Sequence, residues 1–346
     1  MMNTIFRTCI CTAMVLGALS PASARAQVSA SDVLQGYELT QKEINRLESG
    51  EVLAYSDEEY EFTARELSSD AMVLVHTNLN AIVRSLEESP SVIPTNLVKD
   101  SAVITSEEDF AGVAFLESEY SEVQELFAAK PGDDWNLSEA EFAMIQQRLA
   151  PHLDSDQATQ ISVASDVMRD ILIGRYNRYL ANGLQGIEGY KRSKRKTVDV
   201  GAELQLSTDS FLPFEDEFPE FVKVVTSFPE GAECCEHMFR WIKVRIRKRY
   251  AFALSHIMIQ KTEDFVLFTE RQYFVSTLIN SLQVTLAWLP YEEGEGEYLG
   301  LAMSASADVL DSTIGRMLRG IGRNKAKDLV TDVMKETRDE LETLVE

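Results

Sequence analysis

Cysteine is scarce in this sequence, and its scarcity excludes one class of fold. Four cysteines occur among 346 residues: Cys9 and Cys11 near the start, and Cys234 and Cys235 side by side. This count excludes a small scaffold stapled by several disulfides, and a chain of this length can bury a substantial core without them. We favour the interpretation that the adjacent pair is two small residues ahead of a strand. The alternative is a redox-sensitive pair, either as two thiols or as a strained, reducible bridge.

The sequence also lacks the residue sets that carry common chemistries. Its four histidines, His76, His152, His237 and His256, are not spaced at i, i+4, and no Cys/His set appears, so we predict no metal site. No glycine-rich phosphate loop follows a predicted strand, and no Gly-x-Ser-x-Gly motif occurs. We therefore predict no cofactor and assign no catalytic residue.

His256 and Glu270 form the most tempting acid–base pair, because both fall on strands of one predicted hairpin. With the turn placed at 261–264, His256 faces Thr269 and Glu270 faces Ser255. Adjacent strand residues point to opposite faces of a sheet. We therefore expect the two side chains to lie on different faces, as polar strand residues rather than as a catalytic pair.

Long apolar runs are missing except near the start of the chain. Arg7 precedes a mainly apolar run at 10–19, and small residues flank position 25 within the segment 24–26. The run has about half of the roughly 20 residues that a spanning helix needs, and the three regions occur in the order of a secretory signal. We expect cleavage before Gln27, no lipidation, no transmembrane segment in the mature chain, and export to the periplasm or the extracellular space.

Positive charge is scarce in the first half of the chain. Residues 27–168 hold 7 Lys or Arg against 28 Asp or Glu, a net −21, whereas residues 169–346 hold 24 against 28, a net −4. This balance excludes nucleic acid as a partner, because phosphate binding needs a basic face. Basic clusters occur at 191–196, 240–249 and 316–327; we favour contacts with the chain's own acidic half, and peripheral contact with anionic lipid headgroups is the alternative.

Hydrophobic periodicity changes along the chain. A spacing of three and four predicts a helix over 160–180, whereas apolar and basic residues alternate over 242–246, which is typical of a half-buried antiparallel strand. Turn signals at 261–264 and 290–297 predict two hairpins, and a long helix follows over 308–344.

These patterns divide the chain into four parts. They are the signal over 1–26, a helix and strand–helix part over 27–105, a mainly helical insertion over 106–235, and an antiparallel sheet with a C-terminal helix over 236–346. The predicted fold class is α+β, with the antiparallel β-sheet packed against the long C-terminal helix.

This order of elements resembles the START-like, polyketide-cyclase-like helix-grip fold, with 50–88 and 237–345 as its pieces. A group of uncharacterised exported bacterial proteins is similar in the run Glu270-Arg271-Gln272-Tyr273, the strand at Tyr298-Leu299, and the helix with Gly315, Gly320 and Gly322. The resemblance implies that an apolar or amphipathic ligand, such as a lipid, is held between the sheet and the C-terminal helix.

Within that arrangement we expect a stripe of apolar residues to close a cavity, and the alternative is that the stripe merely fills the core. The candidate ligand-binding residues are Phe252, Leu254, Phe274 and Trp288 on the strands, with Met303, Ile314, Met317, Leu318 and Ile321 on the other side. The favoured function is an exported binding or carrier protein. A cell-envelope interaction or structural protein without a ligand is the second reading, and an enzyme of unknown class is the third.

Overall fold

The computed structural model describes residues 39–56, 61, 63–88, 90–193, 196–209, 214–291, 296–312, 315 and 319–344. The predicted signal over 1–26 lies outside the described residues, and so do Ile314, Met317 and Leu318. In the part that is described, no helix has the length and apolar character needed to cross a membrane.

The described residues form eight α-helices and ten β-strands. The α-helices are α1 (Gln41–Glu48), α2 (Leu79–Glu88), α3 (Tyr120–Phe127), α4 (Glu139–Leu149), α5 (Gln157–Asn182), α6 (Val200–Asp209), α7 (Pro219–Ser227) and α8 (Arg319–Thr343). The strands are β1 (Leu53–Tyr55), β2 (Glu66–Val75), β3 (Val98–Val103), β4 (Tyr190–Ser193), β5 (Lys196–Val198), β6 (Glu236–Ile246), β7 (Arg249–Lys261), β8 (Val266–Val275), β9 (Ser281–Pro290) and β10 (Glu297–Ser306). Short 3-10 turns lie at Thr95–Leu97, Glu107–Gly112, Glu117–Glu119, Ala150–His152, Gly183–Gly186, Ala232–Cys234 and Asp308–Asp311.

Local capping explains where several helices begin. Ser138 and Glu141 form a capping box at the start of α4, in which each side chain bonds to the other residue's backbone N–H. Asp156 accepts a hydrogen bond from the N–H of Thr159 at the start of α5. The helix predicted over 160–180 is therefore confirmed within α5.

Eight strands form one antiparallel sheet in the order β1-β2-β10-β9-β8-β7-β6-β3. The strand β2 from the start of the domain pairs with the last strand, β10, so that Val73 lies opposite Leu299. The two predicted hairpins are β7–β8 and β9–β10. The predicted α+β class is confirmed, with an antiparallel sheet against a long C-terminal helix.

Helix α8 covers one face of the sheet, which we call the α8 face. Val330 and Met334 of α8 are buried in one apolar cluster with Val73 of β2 and Leu299 of β10. Ile82 of α2 belongs to the same cluster. This interface is a packed core of aliphatic side chains.

The helices between β3 and β6 cover the opposite face, which we call the insertion face. Met72 and Leu74 of β2 point to it, as do Leu254 of β7 and Leu267 of β8, and they share an apolar cluster with α3 to α7. Helix α5 contributes the largest stretch of buried residues on the helical side. The sheet is therefore buried on both faces, and the two faces have different partners.

Three predictions from the sequence need correction. The described part of the C-terminal helix is Arg319–Thr343, and a separate 3-10 turn covers Asp308–Asp311. The basic cluster at 191–196, for which the sequence suggests no strand, contributes to the two-stranded hairpin β4–β5. Lys243, predicted to face solvent from a half-buried strand, is only 3 % exposed because the insertion covers that face.

Candidate functional site

The short helix α7 forms the roof of an apolar cavity on the insertion face. Phe218 is the N-cap of α7, and Pro219 occupies its first turn, where a missing N–H costs nothing. Phe221, Val222 and Val225 then follow at three, four and seven positions from Phe218. This spacing puts all four apolar side chains on one side of the helix.

The floor of the cavity is the sheet itself. Residues of four adjacent strands lie beneath α7, and the lining set is Met72, Phe214, Phe218, Phe221, Val222, Val225, Leu267, Thr285, Ala287, Leu289, Tyr298, Leu299, Gly300, Leu301 and Ala302. The cavity volume is about 80 Å³. A drug-sized ligand needs roughly 300–1,000 Å³, so the cavity accommodates a short apolar segment.

The structure divides the predicted ligand-binding residues between the two faces of the sheet. Phe252, Leu254 and Phe274 are buried on the insertion face, where α8 does not reach. Trp288 is buried on the α8 face, with Met303 partly buried beside it. The expected pairing of Phe252, Leu254 and Phe274 with the last helix is wrong, because these strand positions point to the face that the insertion covers.

Of the remaining predicted residues, Ile321 is the one that lies among the described residues of α8. Ile321 is 55 % exposed. Gly315 stands where an added Cβ would come within 1.9 Å of the Val309 carbonyl oxygen, and at Gly322 it would come within 3.3 Å of Leu67. These two glycines allow close chain approach and leave no room for a ligand.

A buried polar layer lies beside the apolar cavity on the same face. Arg271 of β8 is fully buried, and its Nε donates to Oε1 of Gln283 at 2.7 Å. Its Nη2 donates to the Val225 carbonyl at 2.6 Å and to the Thr208 hydroxyl at 3.2 Å. Since Val225 also lines the cavity, the guanidinium lies directly behind the cavity wall.

A hydrogen-bonded chain leads from Arg271 toward the edge of the sheet. Nη1 of Arg271 donates to the Tyr179 hydroxyl at 3.3 Å, and that hydroxyl lies 3.0 Å from Nδ1 of His256. Nε2 of His256 lies 2.8 Å from Nδ1 of His237, whose Nε2 lies 2.8 Å from the Ala232 carbonyl.

The carbonyl at the end of this chain fixes its direction. A carbonyl oxygen only accepts hydrogen bonds, so Nε2 of His237 carries a proton. In the neutral form of His237, Nδ1 then has no proton and accepts the hydrogen bond from Nε2 of His256. His256 then accepts from the Tyr179 hydroxyl. Burial lowers the pKa of His256 well below its usual value, and the nearby His237 and Arg271 lower it further. His256 is therefore neutral at physiological pH.

A β-bulge shapes this polar layer. Leu254 pairs with Phe274 and Ser255 pairs with Gln272, which leaves Tyr273 without a partner in the ladder. Its ring stacks on Tyr179 with 3.8 Å between centroids, and its buried hydroxyl has no hydrogen-bond partner among the described residues. Burial raises the pKa of Tyr273 well above its usual value.

His256 and Glu270 lie on opposite faces, as the strand parity predicts. The register differs from the predicted one by two residues, since His256 lies opposite Arg271 rather than Thr269. A shift of two keeps the parity. Glu270 accepts hydrogen bonds from the Ser255 hydroxyl at 2.7 Å and from the Val92 N–H at 2.9 Å, and burial raises its pKa.

Cys234 and Cys235 are joined by a disulfide in the turn just before β6. This turn also supplies the Ala232 carbonyl that accepts from His237. The described residues include no group of three or more His, Cys, Asp or Glu side chains placed to hold a metal ion.

Sequence reasoning missed both the cavity under α7 and the polar layer. The available signal was Arg271, a charged residue that shares strand parity with Leu267 and Tyr273 in a mainly apolar strand. Arginine is almost never fully buried without a paired anion, so such a position points to a specific site.

Comparison with family models, with curated proteins and with solved structures finds no match to this chain.

Proposed function

We propose that this protein binds an apolar or amphipathic small molecule, outside the cytoplasm, in the cavity between α7 and strands β8 to β10. The observation that carries the proposal is the apolar lining of that cavity, in which Thr285 and Tyr298 are the residues whose side chains carry a polar group. Apolar concave sites with few polar groups are the usual form of small-molecule sites. The proposed binding site thus lies on the insertion face, opposite the C-terminal helix.

The length of α7 supports ligand entry at this point. The helix has nine residues between Phe218 and Phe228, and isolated helices this short are marginal without tertiary contacts. Helix α7 depends on contacts between its apolar side chains and the sheet. When a ligand replaces the sheet in these contacts, the helix can move as a unit. The cavity can then enlarge to admit a longer apolar chain.

A leucine at Gly300 tests the proposal. Gly300 lines the cavity, and an added Cβ would meet only the Ala287 carbonyl oxygen, at 4.0 Å. We expect Gly300→Leu to weaken binding of the neutral apolar dye Nile red by about tenfold or more, because each displaced CH₂ contact is worth roughly 0.8 kcal/mol. The measurement is a fluorescence titration of the mature chain.

Gly320→Leu is the matched control. Gly320 lies on α8 with no atom within 4 Å of an added Cβ, so the same side chain should leave dye binding unchanged there. A filled core at Gly300 would instead lose about 1–3 kcal/mol of stability from overpacking. If the wild-type protein binds no apolar dye, the binding function is wrong, and the cell-envelope interaction protein becomes the better hypothesis.

A further inference from the structure

The guanidinium of Arg271 has no carboxylate partner. No Asp or Glu of the described residues lies within salt-bridge distance of it, and its hydrogen-bond partners are Gln283, Tyr179, Thr208 and the Val225 carbonyl. All four are neutral. A buried charge that is held only by neutral groups retains a large part of its desolvation cost.

Other buried cations in this protein do have an anionic partner. Arg175 is 4 % exposed and is bonded to both oxygens of Glu141, at 2.8 and 2.6 Å. Lys243 is 3 % exposed and donates to Oε2 of Glu119 at 2.5 Å. Arg271 departs from this pattern although it is the most deeply buried of the three.

The hydrogen bonds of Arg271 also leave one donor over. A guanidinium has five N–H groups: one is directed to Gln283, two at Nη2 to Thr208 and Val225, and one at Nη1 to Tyr179. The fifth, at Nη1, has no acceptor within the described residues. The unpartnered hydroxyl of Tyr273, on the ring stacked against Tyr179, is a second buried donor in the same layer.

The polar layer continues the cavity along the strands. Arg271 pairs with Gln283 across the ladder, and the next rung on the same face is Thr269 with Thr285, which lines the cavity. Alternate residues on one face lie about 7 Å apart. One extended molecule can therefore place an apolar part under α7 and a polar end at Arg271.

We propose that the ligand is an amphipathic monocarboxylate, with its apolar chain in the α7 cavity and its carboxylate against Arg271. This inference rests on the proposed binding function and adds the chemical class of the ligand. One carboxylate supplies the single negative charge and the acceptor oxygens that the layer lacks, and carboxylates match the geometry of a guanidinium. A dianionic phosphate would exceed the one available positive charge.

The test compares two ligands that differ only at the polar end. Octanoate and octanol are titrated against Nile red bound to the wild-type mature chain. The salt concentration is about 0.15 M, so that the strong net negative charge, −23 for the full sequence, does not dominate the encounter. We expect octanoate to displace the dye at a concentration about ten- to a hundredfold lower, because a hydrogen bond to a charged group contributes roughly 1.5–3 kcal/mol.

Arg271→Gln should remove this preference and leave octanol displacement unchanged. Arg148→Gln is the matched control, since Arg148 pairs with Asp170 at the surface, and it should keep the preference. If Arg271→Gln does not fold, the comparison of octanoate with octanol on the wild-type chain still tests the carboxylate inference. Equal displacement by octanoate and octanol overturns the carboxylate inference and leaves the binding function standing, whereas no displacement by either ligand overturns both.

Discussion

The charged side chains of Lys243 and Arg271 are buried and have hydrogen-bond partners far away in the sequence. The alternation over 242–246 predicts that Lys243 faces water, and in the structure it lies under the insertion and donates to Glu119. The same reasoning assigns no role to Arg271, whose neutral surroundings become visible only when α6 and α7 are in place. A hydrogen-bond partner of such a side chain can lie more than sixty positions away in the sequence, as Thr208 does from Arg271.

Glu297 provides a test at this scale. It is 8 % exposed, burial raises its pKa to about 7, and its Oε2 has no hydrogen-bond partner among the described residues. Because the pKa in the folded state lies above the unfolded value near 4.5, folding favours the protonated form. This carboxylate therefore destabilises the protein above about pH 7, and the penalty fades as the pH falls toward 4.5.

We expect Glu297→Gln to raise the melting temperature by about 2 °C at pH 8 and to leave it nearly unchanged at pH 5. The measurement is thermal unfolding followed by circular dichroism at both pH values. Glu263→Gln, in the exposed β7–β8 turn, should show no such difference. An equal effect of Glu297→Gln at both pH values would show that ionisation of this side chain does not matter.

At the scale of the elements, the β6–β7 hairpin contains a residue with an unfavourable backbone conformation. Ile246 pairs with Arg249, so the turn has two residues, and the first of them, Arg247, has a φ of 59°. A positive φ at the first central position is the place where glycine is preferred in such turns. We expect Arg247→Gly to stabilise the protein by about 1 kcal/mol, measured as a shift of the urea midpoint.

Lys248→Gly separates this effect from a general effect of glycine. Lys248 follows in the same turn and is not among the positive-φ residues. Glycine there relieves no strain and increases the freedom of the unfolded chain, so the midpoint should fall slightly. Equal shifts in the same direction for both variants would refute the role of the backbone conformation at Arg247.

Elements with local signals could be predicted from the sequence, whereas their partners could not. A spacing of three and four placed a helix within α5, and turn signals placed the β7–β8 and β9–β10 hairpins. The choice of face failed because all ten residues of β8 are buried. Alternation then gives no sign of which face packs against α8 and which against the insertion, so Phe252, Leu254 and Phe274 were assigned to the wrong face.

At the scale of the whole molecule, acidic residues of the first half of the chain form ion pairs with basic residues of the second half. The excess of acids in 27–168 predicted contacts with the basic clusters that follow, and the structure contains such pairs between the halves. Pairs with these clusters include Glu61 with Arg319 and Arg323, Glu119 with Lys243, Glu125 with Arg249, and Glu139 with Lys191. The insertion is therefore held to the sheet by charge as well as by apolar contacts.

Exposed pairs between the halves should make stability depend on salt. Raising the salt from about 0.01 M to about 0.15 M shortens the Debye length from about 30 Å to about 8 Å, which weakens exposed pairs more than buried ones. Glu125 and Glu139 are 53 % and 64 % exposed. We expect the thermal midpoint to fall by about 2 °C over this range, since exposed pairs contribute roughly 0.2–1 kcal/mol each.

The double variant Glu125→Gln/Glu139→Gln supplies the comparison for this salt dependence. It removes two exposed pairs between the halves and leaves the buried pair of Glu119 with Lys243 in place, so its midpoint should change less with salt than that of the wild type. The opposing term is self-repulsion from the net charge of −23, which salt also screens. A wild-type midpoint that rises steadily with salt would mean that this repulsion outweighs the attraction between the two halves.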